Sequence, residues 1–133
     1  MVEYLKSSMG WIFWDKGQRD FSTSDGELAY TSFQRKLKVF DMSRGAALAI
    51  NGGGTIHPTQ KPKQLYNFIL DNYATKGDKI LDTHLGSGSI AIACHYRGFD
   101  LVGCEIDPEY YKDATERFKL ETAQTSLFLN EKI

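Results

Sequence analysis

The stretch that decides the fold is Lys79-Ile80-Leu81-Asp82-Thr83-His84-Leu85-Gly86-Ser87-Gly88-Ser89-Ile90. Its first four residues are a short apolar run that ends in an acid, so a strand is expected over 79–82. Leu85 to Ser89 is a glycine loop, and a helix is expected from Ile90 to Tyr96, closed by Gly98. Leu101 to Cys104 follows as a second strand, ending at Glu105. Asp107 then caps another helix with Pro108 at its first position, and Tyr111, Ala114 and Phe118 line its inner face. Upstream, Leu65, Ile69 and Tyr73 recur at four-residue steps, which predicts a helix from Pro62 with Thr59 as its N-cap and Gly77-Asp78 as its end. Helix, strand, glycine loop, helix, strand, acid, helix is a βαβ unit with flanking helices. Its sheet must be parallel.

The first 42 residues have a different texture. Gly10-Trp11-Ile12-Phe13-Trp14 is a bulky β-prone run stopped by Asp15-Lys16-Gly17, and a polar loop follows through Arg19, Ser22, Ser24 and Gly26. Leu28 to Phe33 and Leu37 to Phe40 are two short strands or one bent one. Trp11, Phe13 and Trp14 are expected in the core. Residues 43–56 hold four of the glycines without a steady period and are expected as loop, and 122–133 as a tail.

Composition sets the class. The chain has 133 residues, 41% hydrophobic and 25% charged, and a formal net charge of −1. These values, with a mean hydropathy of −0.39, suit one soluble globular domain. No apolar run approaches the about 18 residues of a membrane span, and Met1 to Ser8 has no apolar signal region. A sequence pI near 6.3 excludes a protein that grips nucleic acid by bulk charge alone. Two cysteines, Cys94 and Cys104, lie in apolar segments and are expected as buried reduced thiols in a cytoplasmic protein. His57, His84 and His95 have no metal-ligand spacing, so no metal is expected.

The glycine loop carries the chemistry. A strand ending in an acid, then Gly86-Ser87-Gly88, then a helix sets bare backbone beside whatever lies at the helix start. Glu105 ends the next strand, nineteen residues after Gly86, where a carboxylate accepts hydrogen bonds from the vicinal hydroxyls of a ribose. Gly86-x-Gly88-x-x-Ala91 also meets the relaxed dinucleotide fingerprint, so NAD must be weighed. Asp82, four residues before the first glycine, puts a negative charge near the cofactor's path. That favours S-adenosyl-L-methionine, which carries a sulfonium and an ammonium, over a pyrophosphate.

These motifs have a familiar order. The run His57-Pro58-Thr59-Gln60-Lys61-Pro62, then Ile80 to Ser89, then Gly103-Cys104-Glu105-Ile106-Asp107 with Tyr110, Tyr111 and Ala114, resembles the cofactor-binding end of amino-type DNA methyltransferases. These enzymes methylate adenine N6 or cytosine N4, and the order is that of the class whose catalytic region precedes the S-adenosylmethionine region. A weaker likeness covers Trp11 to Phe40. The resemblance implies a partial Rossmann-like methyltransferase α/β sheet with helices on both faces, in a single partial domain over 1–133: late strands in 1–42, the loop in 43–56, the cofactor region in 57–121 and the tail in 122–133. It implies that Asp82, Gly86, Ser87 and Gly88 line the methionine part of the cofactor, and that Thr59 and Lys61 hold its carboxylate end. Glu105 would take the ribose and Ile106 would pack on the adenine. Where the family has Pro-Phe this chain has Thr83-His84, so His84 would supply the stacking contact.

The family's catalytic loop, [Asp, Asn or Ser]-Pro-Pro-aromatic, does not occur here. Pro58, Pro62 and Pro108 are the only prolines and none adjoins another. That loop polarises the target amine and stacks on the flipped-out base, and in the family it would precede Met1. No catalytic residue is therefore assigned. The expectations are an adenine-N6 enzyme's cofactor portion, acting on double-stranded DNA in the complete enzyme of a bacterial or phage restriction-modification setting. Missing strands would leave sheet edges open, so self-association or a chain supplying the catalytic half is expected. The alternatives are a non-catalytic cofactor-binding remnant and an NAD-binding oxidoreductase fragment.

Overall fold

Alternation along Trp11-Ile12-Phe13-Trp14-Asp15 makes the first strand, β1 (Trp11–Asp15), in which Ile12 and Trp14 are buried. The computed structural model describes residues 4–20, 22–50 and 54–130 of the chain. Two compact units divide it, residues 1–52 and 53–133. In the first, β2 (Gly26–Tyr30) runs antiparallel to β1, with Trp11 opposite Tyr30, and β3 (Lys38–Asp41) runs parallel, with Asp15 opposite Asp41. The sheet order is β2-β1-β3. The two β-prone runs are thus separate strands of opposite direction on either side of β1, not one bent strand. Trp11 meets Tyr30 edge-on at 5.5 Å, and the Trp14 indole N–H donates to the Met42 carbonyl at 2.8 Å.

Residues 44–50, expected as loop, form a helix, α1 (Arg44–Ile50). Ser43 starts it: its hydroxyl accepts the Ala46 N–H at 3.1 Å and its carbonyl accepts that of Ala47 at 3.0 Å. Ala46 to Ala49 are strong helix formers, which outweigh one glycine in the first turn.

The second unit contains α2 (Lys63–Tyr73), β4 (Lys79–Asp82), α3 (Ser89–Arg97), β5 (Asp100–Gly103) and α4 (Pro108–Asn130). α2 begins at an extended Pro62 with no side-chain cap, so Thr59 is not its N-cap. The reason is local: Lys61 precedes a proline, which disfavours helical backbone there and stops the helix from reaching further back. β4 and β5 are parallel, with Asp82 opposite Gly103. One face of this pair, through Ile80 and Leu101, packs on Leu70 of α2 and on Ala93 and Cys94 of α3. On the other face Leu81 and Val102 are 65% and 63% exposed. α4 continues to Asn130, beyond residue 121 where a tail was expected.

The two thiols part company. Cys94 is buried and its thiol pKa is pushed up, chiefly by burial. Cys104 is exposed, against expectation, because β5 ends at Gly103 and Cys104 already belongs to the turn. No helix among the described residues is long and apolar enough to cross a membrane.

Candidate functional site

Parallel strands put their carboxyl ends side by side, so the segments after Asp82 and after Gly103 meet. Two backbone bonds join them: the Cys104 N–H donates to the Asp82 carbonyl and the Leu85 N–H to the Cys104 carbonyl, both at 2.8 Å. Glu105 adds a side-chain bridge. Its Oε2 accepts the Gly86 N–H at 2.7 Å and its Oε1 the Asp107 N–H at 3.1 Å. The Asp107 and then the Gly86 donors hold the Glu105 carboxyl below the usual carboxylate range. Asp82 Oδ1 accepts the His84 N–H at 2.9 Å, which fixes the turn out of β4.

The loop needs its glycines for different reasons. Gly86 and Gly88 both have positive φ, +52° and +70°, which L side chains rarely adopt. Gly88 is also crowded, since a Cβ there would lie 3.2 Å from the Ala114 Cβ on α4. Above Gly86 sits His57, whose ring packs on Tyr110 with centroids 4.3 Å apart. The His57 Nδ1 accepts the Thr59 N–H at 3.2 Å and lies 3.1 Å from the Thr59 hydroxyl, so His57 is a hydrogen-bonded loop residue. Thr59 thereby stands next to a residue that covers the glycine loop. The Lys61 carbonyl accepts the Ser89 hydroxyl at 2.8 Å, which ties that segment to the start of α3.

Other candidate residues are placed as follows. Ser87 is buried and its hydroxyl lies 3.2 Å from that of Ser89, so it faces inward rather than out of the loop. His84 is exposed, with Nδ1 2.9 Å from the Thr83 hydroxyl. Ile106, beside Glu105, is 99% exposed. Sequence reasoning missed Tyr110, Ser89 and Arg117. Tyr110 was findable, as an aromatic three residues after the helix cap; Arg117, which bonds Ser87 from thirty residues away, had no local signal.

A cleft of about 390 Å³ lies elsewhere, between α3, β5 and α4, lined by residues that include Gly88, Cys94, Phe99, Leu101, Ala114 and Phe118. Neither Asp82 nor Glu105 reaches it. Among the described residues no group of three or more His, Cys, Asp or Glu is placed to hold a metal ion.

Comparison with known proteins gives a consistent set of likenesses. The family model described as DNA methylase, of the N6/N4 type, matches residues 11–116. The chain is 37% identical over 65 residues to the Type II methyltransferase M.HpaI of Haemophilus parainfluenzae, covering 49% of this chain and 21% of that protein. It is likewise 37% identical over 65 residues to M2.DpnII of Streptococcus pneumoniae, 49% of this chain and 24% of that one. To M1.MboII of Moraxella bovis it is 34% identical over 103 residues, 74% of this chain and 36% of that one. Among solved structures, M1.HpyAVI, determined as a complex with SAM, superposes with a TM-score of 0.60 at 23% identity over 80% of this chain and 60% of that one. That likeness is one of fold. The chain spans between 21% and 36% of the length of these curated relatives.

Proposed function

The chain belongs to the N6/N4 DNA methylase family, and from that membership we propose that residues 57–121 are the S-adenosyl-L-methionine-binding part of a DNA amino-methyltransferase. The observation that carries this is the Glu105 carboxylate, held at the meeting of two parallel strand ends by the N–H groups of Gly86 and Asp107. A carboxylate has about four acceptor positions, so the Gly86 and Asp107 bonds, with a weaker one from the Ile106 N–H, leave capacity for a ribose hydroxyl. The surroundings fit the rest of the ligand. Ile106 offers an exposed apolar side chain beside Glu105 for an adenine ring.

The same bonds weigh against a dinucleotide. A pyrophosphate on this loop needs backbone donors, and the Gly86 N–H is already given to Glu105. Asp82 suits a ligand with cationic centres. Thr59 and Lys61 would hold its carboxylate end, and His84 would flank it in place of the aromatic residue that the resemblance leads one to expect. When bound, S-adenosylmethionine supplies a methyl group activated on a sulfonium. This chain's residues would bind and orient it, and orientation is a large part of the rate of an in-line transfer.

In the complete protein the substrate would be double-stranded DNA, with adenine N6 favoured over cytosine N4 on the sequence resemblance, in a cytoplasmic restriction-modification setting. The groups that activate the amine would come from a partner segment or chain, and no residue here is assigned to them. The exposed Leu81 and Val102 support association with that partner or with a second copy. A calorimetric titration with S-adenosylhomocysteine, with NADH as control and circular dichroism to monitor folding, tests the site. Saturable binding of the homocysteine compound alone is expected. A folded chain that binds NADH instead, or neither compound, overturns the assignment.

A further inference from the structure

Behind the glycine loop lies a buried network that no part of the proposed binding uses. The side chain of Arg117 on α4 is 12% exposed; its guanidinium bonds within the unit through Nη1 and Nε, while Nη2 is buried without a hydrogen-bond partner. Its Nη1 donates both to the Ser87 carbonyl and to the Ser89 hydroxyl at 2.9 Å, which uses both of that nitrogen's hydrogens. Its Nε donates to Glu121 at 3.0 Å, and the other Glu121 oxygen takes the Lys63 ammonium at 2.6 Å.

Ser89 is the node. A hydroxyl has one hydrogen, and here it goes to the Lys61 carbonyl at 2.8 Å. The Ser87 hydroxyl, 3.2 Å away, must then donate to Ser89 rather than accept from it. Ser89 therefore accepts from Arg117 and Ser87 and donates to Lys61, so three segments distant in sequence are locked at one oxygen. Two of them, 57–62 and 85–89, would both face the methionine part of the ligand, the first at its carboxylate.

Resting on the cofactor reading above, we infer that Arg117 and Ser89 are positioning residues: Arg117 clamps the glycine loop onto the Lys61 segment through Ser89, and so fixes the two segments that would hold the methionine part of S-adenosylmethionine against each other. A lysine cannot replace the clamp in full, because it lacks the rigid fork that meets two acceptors and Glu121 together.

The test uses amide hydrogen exchange on the ligand-free chain and calorimetry with S-adenosylhomocysteine, for wild type, Arg117→Met, Arg117→Lys, Ser89→Ala and Glu121→Gln. Arg117→Met and Ser89→Ala are expected to speed exchange in segments 59–63 and 85–91 while β4 and β5 stay protected. They should weaken binding about tenfold, the scale of a lost supporting hydrogen bond to a charged group. Arg117→Lys should recover part of both effects. Glu121→Gln, which keeps the bonds to Ser87 and Ser89, should leave loop exchange near wild type. Wild-type exchange and affinity in Arg117→Met overturn the inference. So does a loss of protection spread over the whole unit and matched by Glu121→Gln, which would make the role merely structural. Should wild type fail to bind, the cofactor reading falls, and the exchange pattern still decides the clamp.

Discussion

Glu105 holds together two turns that its own strand does not contain, and it does so as an anion. Its carboxyl is depressed by the Asp107 and Gly86 N–H donors, so the folded chain keeps it ionised to lower pH than an unfolded one would. A depressed carboxylate stabilises fully above its unfolded pKa, and that contribution is lost as pH falls through the lower folded value. The Gly86 amide resonance should therefore titrate below the usual carboxylate range in an NMR pH series. A midpoint at or above that range would contradict the bridge. Glu105→Ala and Asp82→Ala should each weaken S-adenosylhomocysteine by about tenfold or more, the scale of one or two charge-assisted hydrogen bonds, with an unchanged dichroism spectrum. Wild-type affinity in both would remove these residues from the site. Glu105 was legible in the sequence because its place depends only on where a strand ends. Ser89 and Arg117 were not, since their meeting depends on how α4 crosses α3, and no spacing along the chain encodes that. Ser87 was legible as a loop residue, though the inward turn of its hydroxyl was not.

Helix α3 has a left-handed glycine at each end, and the two do different work. Gly98 closes it, its N–H bonded back to the carbonyls of Cys94 and His95. Gly88 opens it at φ +70° under Ala114. Gly88→Ala should cost about 1–2 kcal/mol from the backbone alone, and more from the 3.2 Å contact with the Ala114 Cβ. Thermal unfolding measures it; an unchanged midpoint would mean that α4 gives way freely. Elements with a punctuated pattern came through the sequence well: β4 spans 79–82 as expected, and Asp107 caps α4, accepting the N–H groups of Glu109 and Tyr110. Elements without one did not. α1 was hidden by glycines whose cost a run of alanines and leucine outweighs, and the start of α2 was misplaced because a threonine cap was preferred over the restriction that Pro62 imposes on Lys61. β2 and β3 were seen as strands, but their opposite directions come from pairing with β1, which local propensity does not report.

Burial in the two units is uneven. Leu81 and Val102 sit opposite one another on β4 and β5 with one side in solvent, although both would be core residues in a sheet covered on two faces. Sedimentation velocity should accordingly detect self-association, and replacing both residues by glutamate should reduce it. A monomer at every concentration for the wild type would mean that this face tolerates water. The division at residues 52 and 53 falls at Gly52-Gly53-Gly54, inside the glycine-rich 43–56 segment that separates two textures in the sequence, although a single domain was expected. The bonds that hold the candidate site together, from His57–Thr59 to Lys63–Glu121, all close between residues 57 and 121. Such a stretch is a heritable package. Shifting it ahead of or behind its neighbours in a longer chain would break none of those bonds.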